Sequence, residues 1–466
     1  MRPGIGDVPS GVGFMKSTGL SLFPAPVLYT VIFFNRPDET LNPENKMKIL
    51  IIGGGGREHA LAWKIAQSPQ VTTLFCAPGN PGTAQGATNL DIPADDLNRL
   101  LAFALEQSID LTVVGPEQPL VLGLADRFQE RGLKVFGPSA KAAQLEGSKA
   151  FSKKLMQKYS IPTAAYAAFD DPKEARAYLK GKGPQVVKAD GLAAGKGVFV
   201  CANEAEAVAA IGQIMNDKVF GESGNRIIIE ERLEGQEVSL LAFTDGTTVL
   251  PMEAAQDHKA VFDGDTGPNT GGMGAYSPAP IFTPELKQKV IDQIMVPAVN
   301  GMRAEGTPYQ GVLYAGLMIT PSGPKTLEFN ARFGDPETQP LMVRMQSDIV
   351  PIMEACADGT LDSCSLEWKR DTAVCVVMAS EGYPGLYEKG RPIRGLDQAN
   401  SLPGVTVFHA GTQQVGDDIV TSGGRVFGVT ALGGNVKKAI EKAYQAVGKI
   451  QWQGAQFRKD IGQKAL

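Results

Sequence analysis

Beyond Met47, short apolar runs alternate with segments in which apolar residues recur at helical spacing. The apolar runs are typical of strands buried on both faces; they lie at 48–52, 73–76, 111–114 and 134–136. The helical patterns between them lie at 60–67, 97–106 and 121–131. This alternation predicts a doubly wound parallel sheet at the start of an α/β and α+β multidomain protein.

Glycine- and proline-rich loops follow three of these strands, at 53–59, 77–82 and 115–119. Ligands of such sheets bind beyond the carboxyl ends of the strands, so all three loops are candidate ligand contacts. The first loop matches a dinucleotide fingerprint poorly, because Glu58 stands at the third-glycine position. A single phosphate at the helix N-terminus beside Arg57 fits better, with a plain tight turn as the alternative.

A strand, a glycine loop and a returning strand at 198–201 are predicted within residues 185–201. Lys188 ends the first apolar run, and the loop carries Gly191, Gly195, Lys196 and Gly197. Glycine backbone can approach a polyphosphate closely while lysines offset its charge. The loop is not a P-loop, because it is one residue short and returns to a strand. The alternative is a tight hairpin with surface lysines.

A polar pattern downstream complements this hairpin. Strict alternation predicts one strand face with Glu328, Asn330 and Arg332 and an opposite face with Leu327 and Phe329. Two oxygen ligands at this spacing can reach one Mg²⁺, which completes its shell with phosphate and water. An amphipathic edge strand is the alternative, but it does not account for the polar turn that ends at Asp335.

Composition narrows the class of protein. The net charge of −5 comes without a basic block, which argues against nucleic acid as a main partner. No apolar run reaches the roughly 20 residues of a membrane span. The five cysteines form no C-x-x-C pair, as expected of reduced cysteines in a cytoplasmic protein, and the three histidines do not suggest a zinc site.

The 466 residues suggest several domains. We expect residues 1–46 to be a disordered extension, because they are rich in Gly, Pro, Ser and Asn. The predicted domains are 47–150, 151–372 with a small lid at about 164–235, and an α+β domain at 373–466. Two further segments are candidate site elements: a polar connection at 230–237, and a long glycine-rich loop at 252–278.

The motifs together resemble the ATP-grasp enzymes, and among them the glycinamide ribonucleotide synthetases (phosphoribosylamine–glycine ligases). The resemblance runs from Met47 to about Leu466. It rests on motifs that end at Trp63, Glu117, Phe151, Val198, Lys259, Pro278, Met318, Gln339 and Gly462. Two positions depart from the family pattern: Gly55, where Asn or Ser is frequent, and Ala331, where Cys is common.

The resemblance implies an ATP-grasp core with a mobile lid, and ATP-dependent ligation of glycine to 5-phosphoribosylamine through glycyl phosphate. It implies ATP-binding roles for Lys149, Lys188, Gly195, Lys196, Gly197, Glu230, Leu233 and Glu237. Adenine would contact 230–233, and the ribose would contact Glu237. Glu328 and Asn330 would hold Mg²⁺ or Mn²⁺, and Lys188, Arg332 and Asp257 are the implied catalytic residues. Arg332 is a candidate for holding the substrate carboxylate bidentately.

Substrate contacts are expected in the glycine loops and the long polar loop. The candidates are Gly56, Arg57, Glu58, Gly79, Asn80, Glu117, Lys259, Asn269, Thr270 and Gly271. The expected protein is a cytoplasmic monomer whose partners are small molecules, with neither nucleic acid nor membrane. The alternatives are another ATP-grasp carboxylate–amine or carboxylate–thiol ligase, a nicotinamide oxidoreductase and a non-catalytic nucleotide sensor.

Overall fold

The computed structural model of the protein describes Met1 and residues 46–193 and 196–466. The predicted disorder of residues 1–46 therefore concerns residues that, apart from Met1 and Lys46, the structure does not describe. The predicted ATP-binding role of Gly195 also lies outside the described residues. Within the described ranges, none of the helices combines the length and apolar character that crossing a membrane requires.

The N-terminal part is the predicted doubly wound sheet. Its strands are β1 Met47–Gly53, β2 Val71–Pro78, β3 Thr88–Asn89, β4 Leu111–Val114 and β5 Val135–Phe136, all parallel in the order β3-β2-β1-β4-β5. Its helices are α1 Gly56–Ile65, α2 Leu97–Gln107, α3 Glu117–Val121, α4 Leu124–Gln129 and α5 Gln144–Gly147. Leu50 and Ile52 pack with α2, and Ile49 and Ile51 pack with α1, so β1 is buried on both faces.

The lid is a small antiparallel sheet with its own core. Helix α6 Lys149–Lys158 leads into it. Its strands are β6 Tyr166–Phe169, β7 Gln185–Ala189, β8 Val198–Cys201 and β9 Ile227–Glu231, in the order β6-β9-β7-β8, with helices α7 Pro172–Leu179 and α8 Glu204–Ile211. The pairing of β7 with β8 confirms the predicted hairpin. One π-helical turn, Gly212–Asn216, extends α8.

The lid leads into the central antiparallel sheet. Its strands are β10 Gln236–Asp245, β11 Val249–Pro251, β16 Gln310–Thr320 and β17 Gly323–Asn330, in the order β11-β10-β16-β17. Its helices are α9 Pro284–Val290 and α10 Val296–Ala304, joined by a π-helical turn, then α11 Thr338–Arg344 and α12 Ile349–Asp358. A single apolar core joins this sheet to α2 and β1 of the N-terminal part.

The segment predicted as a long loop at 252–278 forms four short strands instead. They are β12 Gln256–Asp257, β13 Ala260–Phe262, β14 Thr266–Asn269 and β15 Gly274–Ser277. The loop prediction was wrong because these strands are too short and too rich in glycine to show a period of two. Strand β15 pairs with β18 of the C-terminal part, so strand pairing crosses the boundary predicted at 372/373.

The C-terminal part is α+β, as predicted. Its strands are β18 Thr372–Ser380, β19 Val405–His409, β20 Thr412–Val415, β21 Asp418–Thr421, β22 Arg425–Gly433 and β23 Ala455–Gln456, with helices α13 Leu396–Asn400 and α14 Val436–Val447. The main sheet has the order β12-β15-β18-β22-β19, with β23 paired to β18. Helix α14 packs Ala439, Ala443 and Val447 into the core of this sheet.

Two buried histidines join the N-terminal and C-terminal parts. His59 of α1 accepts a hydrogen bond at Nδ1 from the backbone N–H of His409, at 2.8 Å. Burial lowers the pKa of His409 to about 4, and burial followed by the charge of His409 lowers that of His59 well below its usual value. Burial, assisted by Lys464, also lowers the pKa of His258 to about 4. All three histidines are therefore neutral in the folded protein near neutral pH.

We expect these histidines to make the protein acid-sensitive. The unfolded chain binds a proton on each below about pH 6.5, so their contribution to stability is complete above that pH and is lost as the pH falls towards 4. His409→Gln should reduce the pH slope of the unfolding free energy by up to about 1.4 kcal/mol per pH unit in this window. Urea unfolding at several pH values checks this. Parallel pH curves for variant and wild type would show that His409 is not held neutral.

Candidate active site

A cavity of about 840 Å³ lies between the lid and the central sheet. It brings together most of the residues predicted from separate motifs. Its lining includes Arg57, Glu117, Lys149, Lys188, Gly197, Glu230, Leu233, Glu237, Asp257, Lys259, Asn269, Thr270, Gly271, Glu328, Asn330 and Arg332. Five other predicted site residues do not line this cavity: Gly56, Glu58, Gly79, Asn80 and Lys196.

Lys188 is held in place at the base of the lid. It lies on β7, is buried, and donates a hydrogen bond to the carbonyl of Leu327 at 3.1 Å. Its Nζ also lies 2.9 Å from Oε1 of Glu230 on the adjacent strand β9. A lysine on a strand, held by one hydrogen bond and one ion pair, presents its charge to the cavity from a defined position.

Glu230 lies between two lysines rather than being free for adenine. Its second oxygen, Oε2, is 3.1 Å from Nζ of Lys153, and all three side chains are buried. The expectation that residues 230–233 contact adenine stays a prediction, and in this structure the Glu230 carboxylate faces Lys153 and Lys188. Arg232 and Leu233 of this segment line the cavity.

Lys153 is a site residue that the motifs did not single out. It lies four residues after Lys149 on α6, which places both lysines on one helix face. Lys153 donates to Oγ1 of Thr163 at 2.6 Å, and burial lowers its pKa to about 8. Lys149 is half-buried, donates to the carbonyl of Gly191 at 3.2 Å, and has a pKa lowered mainly by burial. Three lysines thus surround one end of the cavity.

The predicted metal strand, β17, is not strictly alternating. Its register shifts so that Glu328 pairs with Gly316 and Thr326 pairs with Leu317, which leaves Leu327 as an extra residue. The prediction of strict alternation, with Leu327 on the face opposite Glu328, is therefore wrong at this bulge. The bulge also directs the carbonyl of Leu327 to Lys188.

Glu328 and Asn330 fit one divalent cation. Burial opposes ionisation of Glu328, but Lys259, Lys188, Lys149 and Arg332 outweigh it and hold its pKa below the ordinary value. Both side chains line the same cavity as the lysines. No cluster of three or more His, Cys, Asp or Glu occurs among the described residues. A cation held here would complete its shell with phosphate and water, as Mg²⁺ does.

Arg332 is clamped by two carboxylates. Its Nε donates to Glu117 at 3.1 Å, its Nη2 donates to Glu146 at 2.6 Å, and its Nη1 donates to the carbonyl of Phe333 at 3.1 Å. The expectation that Arg332 holds a substrate carboxylate bidentately stays a prediction, and it would require Arg332 to exchange some of these contacts for the substrate. Its Nη2 also donates to Oδ1 of Asn330, at 3.3 Å, which links Arg332 to one of the two predicted metal ligands.

The cavity contains carboxyls with opposite pKa shifts. Arg332 and Arg57 lower the pKa of Glu117 to about 2 against the effect of burial. Burial raises the pKa of Glu146 to about 7 despite Arg332. Burial, together with Glu337, Glu237 and Glu328, also raises the pKa of Asp257 to about 7, against the opposing charge of Lys259. Carboxyls that titrate near neutrality in a cleft are candidates for proton transfer.

Lys259 links the predicted ribose and metal residues. Its Nζ is 3.1 Å from Oε2 of Glu237 and 4.0 Å from Oε1 of Glu328. Burial opposes its charge, but Glu237 and the other nearby carboxylates raise its pKa well above the usual value. Lys259 is therefore a fixed cation between the two carboxylates.

The N-terminal glycine loop surrounds a second cavity of about 550 Å³, lined in part by Gly53–Gly55, Glu58, Gly79, Asn80 and 410–412. Glu58 caps its own helix: it accepts from the Gly55 N–H at 2.6 Å and from Arg57 at the same distance. Asn80 donates to the carbonyls of Gly54 and His409. A phosphate at this helix end would compete with the Glu58 carboxylate, which the sequence prediction did not anticipate.

Lys196, on the β8 side of the lid hairpin, contacts the C-terminal part. The Lys196 side chain donates to the carbonyl of Pro384 at 2.9 Å instead of pointing into the cavity. Gly197 accepts from the Ala189 N–H at 2.9 Å, which closes the base of the hairpin. Any contact of Lys196 with phosphate would need this hydrogen bond to break.

Family comparison accounts for this arrangement. Models of the phosphoribosylglycinamide synthetase N domain, ATP-grasp (A) domain and C domain match residues 47–146, 147–338 and 373–464. The chain belongs to the phosphoribosylglycinamide synthetase family. Its membership makes it an ATP-grasp ligase with the three-domain architecture described above.

Curated relatives in this family match nearly end to end. A phosphoribosylamine–glycine ligase of Rhodopirellula baltica is 53% identical over 430 residues, which is 91% of this chain and 98% of the relative. The enzyme of the same name from Allochromatium vinosum is 56% identical over 424 residues, covering 90% of this chain and 99% of the relative. This agreement extends across all three parts of the fold.

Solved structures show the same architecture. The phosphoribosylamine–glycine ligase of Thermotoga maritima superposes with a TM-score of 0.78 at 33% identity, covering 89% of this chain and 99% of that one. The biotin carboxylase domain of Hydrogenobacter thermophilus 2-oxoglutarate carboxylase, in complex with MgADP, ADP and bicarbonate, has a TM-score of 0.69 at 18% identity, covering 88% and 92%. At 18% identity, the similarity to the biotin carboxylase domain establishes a shared fold and no shared function.

Several residues of this phosphoribosylglycinamide synthetase site were missed from the sequence. Glu337 accepts from Tyr314 at 2.6 Å and from Ser239 at 3.1 Å, and Arg425 reaches the cavity from β22 of the C-terminal part. Lys153 was detectable from its helical spacing to Lys149. Arg425 gave no signal, because it lies about 90 residues beyond the metal strand in another sheet.

Proposed function

We propose that this chain ligates glycine to 5-phosphoribosylamine with ATP, giving glycinamide ribonucleotide, ADP and phosphate in purine biosynthesis. The observation that carries the proposal is one cavity that unites Lys149, Lys188, Glu328 and Asn330 in a chain of the phosphoribosylglycinamide synthetase family. The relatives named as phosphoribosylamine–glycine ligases support this substrate pair.

The nucleotide and metal are assigned to the lid side of the cavity. Lys188 and Lys149 would neutralise phosphate oxygens, the 230–233 backbone would meet adenine, and Glu237 would meet the ribose. Glu328 and Asn330 would hold Mg²⁺, with Mn²⁺ as the other candidate. When bound, the cation withdraws charge from phosphate oxygens, which is the contribution that phosphoryl transfer requires.

The chemistry proceeds in two displacements. A glycine carboxylate oxygen attacks the γ-phosphorus, the bond to the bridging oxygen breaks, and ADP leaves. The amine nitrogen of phosphoribosylamine then attacks the acyl carbon, and phosphate leaves with that carboxylate oxygen. The nitrogen loses one proton, for which Asp257 is the proposed acceptor, since its pKa of about 7 suits a general base near neutrality.

The protein's part is positioning and exclusion of water. A carboxylate is a poor electrophile, and its phosphorylated form is hydrolysed if water reaches it. The lid hairpin and the fixed cations Lys188 and Lys259 supply charge and enclosure without a covalent protein intermediate. We further propose that the enzyme acts as a monomer, which sedimentation at several concentrations tests.

We expect ¹⁸O to pass from glycine to inorganic phosphate. With glycine labelled in its carboxylate, the oxygen that attacks phosphorus leaves with the phosphate. The released phosphate should carry one label, with ADP as the nucleotide product, measured by mass spectrometry. Omission of phosphoribosylamine is the control for uncoupled turnover. Unlabelled phosphate, or AMP with pyrophosphate, would contradict the proposed chemistry.

Another ATP-grasp carboxylate–amine ligase activity remains the alternative. It would use the same lysines and metal pair but a different amine or acid. ADP release that depends on both glycine and phosphoribosylamine favours the proposal, whereas ADP release with another acid–amine pair favours the alternative.

A further inference from the structure

The hairpin formed by β13 and β14, with the residues flanking it, spans 259–272 and is called here the substrate hairpin. Within the described part of the chain, its two strands pair only with each other. It nevertheless brings Lys259, Asn269 and Thr270 to the cavity. An isolated two-stranded hairpin is marginally stable, so side-chain contacts must fix its position.

Hydrogen bonds from the C-terminal part hold the base of the substrate hairpin, at Gly271. Nη1 of Arg425 donates to the carbonyls of Gly271 at 2.6 Å and Asp335 at 2.8 Å, and its Nη2 donates to the Asp335 carboxylate at 3.1 Å. The Gly271 N–H donates to the hydroxyl of Tyr383 at 3.1 Å. Both backbone polar groups of Gly271 are therefore bound by C-terminal side chains, and Arg425 ties the hairpin to the turn after the metal strand.

Close packing leaves the base of the substrate hairpin little freedom. Gly272 has a φ of +111°, and a Cβ there would lie 2.4 Å from Cδ of Pro336. Thr270 is fixed as well, since its N–H and its hydroxyl each donate to the carbonyl of Lys259 at 2.8 Å. Movement of Gly271 would therefore move Thr270 and Lys259 with it.

Hydrogen bonds from the C-terminal part also hold the tip of the substrate hairpin, at Gly264 and Asp265. Nη1 of the fully buried Arg458 donates to Asp265 at 2.9 Å and to the carbonyl of Ala260 at 3.1 Å. Asp460 accepts from the Gly264 N–H at 2.9 Å. Arg458 and Asp460 belong to the Arg-Lys-Asp-Ile-Gly motif that ends at Gly462. The proposed active-site chemistry gives this motif no other role.

We propose that Arg425, with Tyr383, and Arg458 are positioning residues that hold the substrate hairpin from the C-terminal part, so that glycine and phosphoribosylamine binding depend on them more strongly than nucleotide binding does. The inference rests on the proposed function. The nucleotide end is held separately, because Lys188 is fixed by Leu327 and Glu230, and Lys149 by Gly191.

Steady-state kinetics of Arg425→Met tests the inference. We expect the KM of glycine or phosphoribosylamine to rise about tenfold or more, with a fall in kcat, because small displacements of positioning groups cost one to two orders of magnitude. The KM of ATP should stay within about threefold. Arg425→Lys should recover only part of the loss, since a single ammonium nitrogen can replace Nη1 at the two carbonyls but not also Nη2 at the Asp335 carboxylate.

Tyr383→Phe and Arg394→Met complete the design. Tyr383→Phe removes one hydrogen bond and should raise the same KM by about three- to tenfold; it decides the question if Arg425→Met fails to fold. Arg394 pairs with Asp418 at the exposed side of the same domain, so Arg394→Met should behave as wild type.

Unchanged kinetics in Arg425→Met and Tyr383→Phe, or an equal rise in the KM of all three substrates, would overturn the inference. A wild-type protein that shows no ADP release dependent on glycine and phosphoribosylamine would instead contradict the proposed function. Thermal melting of each variant separates a local kinetic effect from global unfolding.

Discussion

Glu328→Gln should reduce turnover by about 10² or more while the fold stays intact, because one lost electrostatic contact at a transition state typically costs that much. The change keeps the shape of the side chain and removes the charge that binds the cation. Glu328 lies between Lys259 and the other cations of the cavity, which keep it ionised in the wild type. Activity at saturating Mg²⁺, circular dichroism and thermal melting measure the effect.

Glu130→Gln is the matched control for this variant, since Glu130 is exposed and lies outside the cavity. It removes the same charge and should leave turnover unchanged. Near-normal turnover of Glu328→Gln at every Mg²⁺ concentration, with an unchanged Mg²⁺ dependence, would remove Glu328 from the metal site. A loss that higher Mg²⁺ fully restores would assign Glu328 to metal affinity alone.

The elements whose sequence pattern is local were predicted well. Strands β4 and β8 have the predicted bounds, and the Lys188 hairpin forms as expected, because a short apolar run ending in a glycine loop specifies a strand and a turn without outside help. The joint presence of Lys188, Glu328 and Asn330 in one cavity also follows from motifs that mark the ends of strands.

The features that depend on a partner in another part of the chain were not predictable. The bulge at Leu327 is set by the pairing of β17 with β16, and no residue type in β17 marks it. The substrate hairpin is held by Arg425 and Arg458 from another sheet. The ion contacts of Glu230 form only when α6, β7 and β9 pack together. The spacing of apolar residues within each element does not predict this packing.

Those ion contacts provide the second prediction. Glu230→Gln removes the one carboxylate between Lys153 and Lys188 and leaves two buried cations to repel each other. Breaking a buried ion pair by removing one partner typically costs about 3–5 kcal/mol, so we expect a comparable fall in the free energy of unfolding. Because Lys188 also loses an anchor, turnover should fall together with stability. Urea unfolding and steady-state kinetics measure the two effects.

The role of Glu230 can be separated from adenine binding by a second substitution. Lys153→Met leaves Lys188 paired with Glu230, so it should destabilise the protein less than Glu230→Gln does. In the double variant only one buried cation lacks a counter-charge, and the combined loss should therefore be smaller than the sum of the single losses, as coupled neighbours show. If Glu230→Gln instead raises only the KM of ATP with stability unchanged, the carboxylate contacts the nucleotide and the lysines do not depend on it.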